Sequence, residues 1–326
     1  MKTMFQSVVA GLAVLLAMPS SATQANPGEY PKGPVTLIVS YAAGNAADAI
    51  ARTISQRLSE KWKQPVVVEN RPGAAGNLGA AAVAKAAPDG QTLLFTAVAA
   101  IAINPHLYPK VGFNVLKDFE FVNLAIQGPM VCVVAPEVPV RNMTELINYT
   151  KRHPGKLNYG SSGSGTMPHL TMEQIRDKHG LNVTHVPYKG AGAIMADLLG
   201  GLIQVACEGV SVVMPHIKSG KLRALGVTSE KPLTAFPEIP TLASQLGGFT
   251  SGAWRGVMAP RGTPELVVSK ISKDINEVLA EKEVRTRFDG LGIEVLGENP
   301  AKFEQRVRAD YEEYGKIVRR LNLKVE

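Results

Sequence analysis

The stretch that decides the fold is Val35-Thr36-Leu37-Ile38-Val39-Ser40-Tyr41-Ala42-Ala43-Gly44-Asn45, followed by Asp48, Ile50, Ile54 and Leu58. A β-branched, apolar run reads as a buried strand, the Gly/Ala segment as a loop, and the apolar spacing after it as one face of a helix. A second strand, Val66-Val67-Val68, leads into Asn70-Arg71-Pro72-Gly73-Ala74-Ala75-Gly76-Asn77-Leu78-Gly79 and a small-residue helix to Ala87. Pro88-Asp89-Gly90 reads as a turn and Thr92 to Thr96 as a third strand, so the order is β-α-β-α-β, the pattern of a parallel sheet covered by helices.

The order recurs about 120 residues later with little identity. Leu157-Asn158-Tyr159 opens into Gly160-Ser161-Ser162-Gly163-Ser164-Gly165-Thr166 and a helix through His169, Met172 and Ile175. Val183 to Val186 leads through Pro187-Tyr188-Lys189-Gly190 to a helix ending near Leu199, and Ile203 to Cys207 makes the third strand. The expected fold is α/β with two lobes, each a mixed, mostly parallel sheet covered by helices, and a ligand cleft between them. Chain crossovers fall near Leu124 to Met130 and Leu246 to Gly252, with the helices after Pro264 returning to the first lobe. The expected divisions are 26–124 with 248–326 for the first lobe and 125–247 for the second.

Export is legible at the N-terminus. Lys2 precedes an apolar run from Val8 to Met18, then Pro19, Ser20, Ser21 and Ala22, which is the order of a signal peptide over residues 1–25 cleaved near Ala22 or Ala25. No cysteine near that point would take a lipid, and the remaining chain of about 300 residues exceeds what one core supports. Of 326 residues, 45% are hydrophobic and 19% charged, a globular balance that excludes disorder. The formal charge is +7, of which Lys2 supplies one. Basic residues are interleaved with acids and no aromatic platform accompanies them, which argues against nucleic acid. The two cysteines, Cys132 and Cys207, sit in apolar strand-like runs and read as small buried hydrophobes, with pairing open in an oxidising compartment.

Both glycine-rich loops fall where a parallel sheet exposes the carboxyl ends of its strands, and there the following helices present unpaired N–H groups and positive dipole ends. Two such ends facing one cleft suit a carboxylate, to which Ser161, Ser162, Ser164 and Thr166 add hydroxyl donors. The Gly73 to Gly79 stretch, taken alone, reads as a plain turn. Catalytic alternatives fail: the loop around Ser162 is not G-x-S-x-G, Pro168 spoils a G-x-G-x-x-G begun at Gly163, and no phosphate-binding G-x-x-x-x-G-K-[ST] occurs. The six histidines lack metal-ligand spacing, so neither metal nor cofactor is expected. His169 could donate to a carboxylate or cap and pack.

Over nearly the whole mature length the chain resembles the solute receptors of tripartite tricarboxylate transporters, the Bug or TctC-like family. The resemblance rests on Val68 to Gly79, Pro88 to Leu94, Lys156 to Ser161, His185 to Gly190, Gly220 to Leu225, Pro237 to Thr241 and Gly262-Thr263-Pro264. It implies a periplasmic binding fold of the second topological type, no catalysis, and delivery of a small organic acid to membrane permease subunits. Its ligand residues, carried over by position, are Tyr41, Ala43, Gly44, Asn45, Asp48, Thr96, Ala97, Ser161 to Thr166, His169, Tyr188, Lys189, Gly190 and Glu208. The first loop departs from the family's PPGGxxD pattern, keeping one glycine and the acid, and Glu208 stands where an Asp is typical. An anionic Glu208 in the pocket would repel a second carboxylate and suit an ammonium group, which widens the expected solutes to amino acids. A receptor feeding a signalling system, or a catalyst on the same scaffold, is the alternative.

Overall fold

Alternating apolar strands set down two sheets. In the computed structural model, which describes residues 30–44, 46–188 and 190–323, eleven strands and eleven helices alternate among the described residues. The signal segment 1–25, Asn45 and Lys189 lie outside the described residues. The first third holds β1 (Val35–Val39), α1 (Ala46–Trp62), β2 (Val66–Asn70), α2 (Asn77–Val83), β3 (Thr92–Ala97), α3 (Asn104–Leu107) and β4 (Phe119–Gly128). The middle holds β5 (Met130–Val134), α4 (Met143–Arg152), β6 (Asn158–Ser161), α5 (Met167–His179), β7 (Thr184–Pro187), α6 (Ala191–Leu199), β8 (Val205–Gly209), α7 (Val210–Lys218), β9 (Arg223–Val227) and α8 (Leu242–Gln245). The chain ends with β10 (Ala253–Pro260), α9 (Glu265–Ala280), α10 (Lys282–Gly290), β11 (Glu294–Glu298) and α11 (Pro300–Arg320).

The first sheet is ordered β11-β4-β10-β3-β1-β2 and the second β7-β6-β8-β5-β9. In each, three parallel strands carry the βαβ units: β1 pairs with β2 and β3, and β6 with β7 and β8. In each, the fourth strand is antiparallel and arrives next to a crossover, β10 beside β3 and β5 beside β8. The repeat seen in sequence is thus a repeat of topology, and both parallel βαβ blocks point their carboxyl ends at helix N-termini.

Both faces of each sheet are covered. Leu37, Val39 and Phe95 bury against Ile50 and Ile54 of α1 and Ile271 of α9, whereas Ile38 and Leu94 face Ala80, Phe303 and Val307 on the opposite side. The second sheet does the same with Met172 and Ile175 on one face and Ile194 and Val213 on the other. The helices after Pro264 do return to the first sheet. The small-residue helix expected to reach Ala87 ends at Val83 instead, because the last turn tightens, Lys85 N–H bonding Ala82 O and Ala86 N–H bonding Val83 O.

Cys132 and Cys207 are joined by a disulfide. Reading them as small buried hydrophobes accounts for their burial, but β5 and β8 pair in a register that sets the two residues directly opposite, and only the sheet decides that.

Pro129 alone separates β4 from β5, so the first crossover is a single step between sheets. The return crossover touches it: a Cβ on Gly252 would stand 2.9 Å from Gly128 O, and Gln127 Nε2 donates to Ser251 O at 3.3 Å. Ser251 Oγ lies 2.6 Å from Thr171 Oγ1 of α5, and Met130 N–H donates to Thr228 Oγ1 at 2.8 Å. Leu170 of α5 is fully buried among Trp254, Phe303 and Tyr314 of the first sheet's cluster. At the other end of α5, Arg320 of α11 pairs with Glu173 and Asp177.

Candidate functional site

The first loop leaves β1 at Ser40 and enters α1. Gly44 has φ +83°, in the left-handed region, and its N–H donates to Asp48 Oδ2 at 3.0 Å. Asp48, 5% exposed, also accepts from Arg52 Nε at 3.0 Å and Asn70 Nδ2 at 2.9 Å. The Arg52 guanidinium, with these N–H donors, outweighs burial and holds the Asp48 carboxyl near 2, so the acid is ionised and ties the loop to α1 and β2. Ala43 and Gly44 are exposed.

Tyr41 lies across the ends of β1 and β3. Its hydroxyl is sealed from solvent without a hydrogen-bond partner, as are Ser40 Oγ and Thr96 Oγ1. Burial pushes the phenol up; Arg255, then Thr96 and the backbone of Ala100 and Ala97, lie near enough to pull it partly back, though none closes a hydrogen bond of good geometry. The Gly73 to Gly79 stretch is more than a turn. Ala74 and Ala75 both take left-handed φ, and a Cβ on Gly76 would come within 3.4 Å of the Tyr41 hydroxyl, so the segment closes over this spot.

The second loop leaves β6 at Ser161. Thr166 is the N-cap residue of α5, but its Oγ1 donates back to Gly163 O at 2.7 Å, which leaves the helix N-terminus without a side-chain cap. Gly163 and Gly165 carry positive φ, and Ser164 is exposed. Behind the loop, Tyr159, His185 and His169 stack, with the two imidazole centroids 4.1 Å apart. Ser161 Oγ lies 2.7 Å from His185 Nε2, and Gly165 N–H donates to His169 Nδ1 at 3.0 Å. His169, read as either a ligand donor or a packing residue, is buried and accepts this backbone bond, so Nε2 carries its proton. Burial, reinforced by His169, holds His185 down at about 4, and the column is neutral at pH 7. Tyr188 donates to Asp197 at 2.7 Å, and Gly190 precedes α6 with φ +123°.

Glu208, at the end of β8, is 5% exposed. Burial pushes its carboxyl up to about 7, partly offset by Gly209 N–H and by Ser162 Oγ at 3.5 Å. The family resemblance implies a place for it at the ligand, and the Ser162 contact brings it to the Ser161–Thr166 loop. Arg255 of β10 was not singled out, although a cation inside the apolar strand Ala253 to Pro260 is a visible anomaly. Among the described residues no cluster of three or more His, Cys, Asp or Glu could hold a metal, and no helix is long and apolar enough to cross a membrane.

Two α/β lobes with helix-capped loops at their strand ends define a two-lobed periplasmic binding fold. A sequence model described as the tripartite tricarboxylate transporter family receptor matches residues 50–323, and the chain belongs to that family. Relatives include a Pseudomonas sp. protein from the tcbD-tcbE intergenic region, 36% identical over 95% of this chain and 93% of that protein. BugT of Bordetella pertussis is 32% identical over 98% of each chain. Among solved structures, an R. palustris protein with adipate is 30% identical, with TM-score 0.68 over 91% of this chain and 100% of that one. MatC of Rhodopseudomonas palustris with bound malate is 30% identical, with TM-score 0.64 over 89% of this chain and 100% of that one. A Polaromonas solute-binding protein of the family, with no ligand, is 26% identical yet has TM-score 0.82 over 89% of this chain and 99% of that one.

Proposed function

We propose that this chain is a periplasmic receptor that captures a small organic carboxylate and delivers it to the membrane permease subunits of a tripartite tricarboxylate-type transporter. The observation that carries the reading is the pairing of equivalent loops, Tyr41 to Asp48 and Ser161 to Thr166, each entering a helix at the carboxyl end of a parallel strand. The adipate and malate held by relatives of the same fold support a carboxylate as the solute class. The ligand set is the one expected from sequence, with Asn45 and Lys189 included on that basis, and the lobes are those expected, 26–124 with 248–326 and 125–247, save that β4 carries the first sheet on to Gly128 and moves the first boundary to Pro129. Residues 1–25 direct export and are removed by cleavage near Ala22 or Ala25.

A thermal-shift screen of the refolded mature protein over C2 to C8 mono- and dicarboxylates and amino acids tests the reading. At least one acid raises the melting temperature in proportion to ln(1 + [L]/Kd) and is recovered unchanged. No shift from any acid, or chemical turnover of the one that binds, refutes it.

A further inference from the structure

We propose that Arg255 is the charge anchor of the solute site, taking one carboxylate of the ligand against the carboxyl end of the first sheet. This deepens the carboxylate reading above and rests on it.

The observation is a cation without a counter-ion. Arg255 is partly buried, its Nε is sealed from solvent with no hydrogen-bond partner, and among the described residues its one side-chain hydrogen bond is a 3.5 Å contact from Nη1 to Ala253 O. Among the described residues it has no ion pair. A partly buried guanidinium without a counter-ion is costly, and folded proteins keep one where something else supplies the negative charge. The neighbourhood supplies no carboxylate. Tyr41 is the one titratable group close enough to act on it, and burial keeps that phenol neutral. The Tyr41 hydroxyl is itself sealed without a hydrogen-bond partner of good geometry, so it offers a further donor beside Arg255.

Position agrees with chemistry. Arg255 stands opposite Ala97 in the β10–β3 register, at the end of the strand that carries Thr96. Its Nη1 lies 3.7 Å from where a Cβ on Gly128 would stand, so the guanidinium reaches the first crossover, the line along which two lobes meet. A planar fork of N–H donors there matches a carboxylate in two-pronged fashion, which helix dipoles and serine hydroxyls alone do not. Burial also pulls the Arg255 pKa down from its usual value, with Tyr41 opposing, as an uncompensated cation requires.

The test is calorimetric titration of wild type, Arg255→Gln and Arg255→Lys with adipate and malate, or the strongest acid of the screen, beside the corresponding neutral amides. Wild type prefers acid to amide. Arg255→Gln weakens acid binding about ten- to a hundredfold and amide binding by far less, so the preference collapses. Arg255→Lys keeps the charge but not the fork and falls between. The unliganded melting temperature of Arg255→Gln equals or exceeds that of wild type, because an unpaired buried charge has been removed; a merely structural arginine would lower it. Acid affinity within twofold of wild type in both variants overturns the proposal while leaving the carboxylate reading intact. A wild type that binds no acid overturns both. Should Arg255→Gln fail to fold, the Lys variant decides.

Discussion

Glu208 offers the sharpest perturbation, because its carboxyl is nearly sealed and has no cationic partner, only Gly209 N–H and a weak contact from Ser162 Oγ. Moving that group from its usual 4.5 to about 7 in the folded protein corresponds to about 3 kcal/mol against the ionised form, at about 1.4 kcal/mol per tenfold change. The folded state holds the proton more tightly than the unfolded chain. Stability is therefore whole below pH 4.5, declines as the pH rises from there to 7, and above 7 carries the full penalty. Glu208→Gln removes the charge and keeps the shape. Urea unfolding of the unliganded variant is expected to match wild type at pH 4.5 and to exceed it by about 3 kcal/mol at pH 8. A carboxylate bound beside Glu208 would show the same signature, with wild-type affinity declining above pH 7 and variant affinity flat. A difference between variant and wild type that is equal at the two pH values would refute the reasoning, since it would mean that Glu208 does not titrate in this range.

Three further perturbations test the frame that holds the site. Reducing Cys132–Cys207, which closes a separation of 75 residues, removes about 4 kcal/mol of loop-closure entropy from the balance; equal guanidinium midpoints with and without reductant would show that the bond is not formed. Gly252→Ala puts a Cβ 2.9 Å from Gly128 O, a contact with backbone that cannot yield, so about 1–3 kcal/mol of stability and a changed scattering radius are expected; an unaltered melt would mean the crossovers are looser than drawn. Leu170→Ala empties a fully buried position between α5 and the first sheet's cluster, costing about 2–5 kcal/mol and splitting a single calorimetric transition into two; one unchanged transition would show that α5 does not couple the lobes.

The organisation of the molecule was readable along the chain because parallel sheets are built from local units. Strand, glycine loop and amphipathic helix lie within about 30 residues of one another, so Val35 to Thr96 and Leu157 to Cys207 each carried their own topology. The loops' place at the strand ends followed from the same locality. What a residue meets across the sheet is a matter of register, and register joins segments far apart in sequence. Nothing local told Cys132 that Cys207 would stand opposite it, or that Gly76 would close over Tyr41. Arg255 shows the division most plainly. In sequence it is one cation in an apolar run; only the antiparallel insertion of β10 beside β3 sets it at Ala97, near a sealed phenol, Tyr41, that lacks a hydrogen-bond partner of its own. Sequence determined the two lobes and the loops between them, because those rest on periodicity and turn chemistry. Tertiary structure decided which side chains are sealed, paired or left wanting a ligand, because burial and charge balance arise only when distant strands share a sheet.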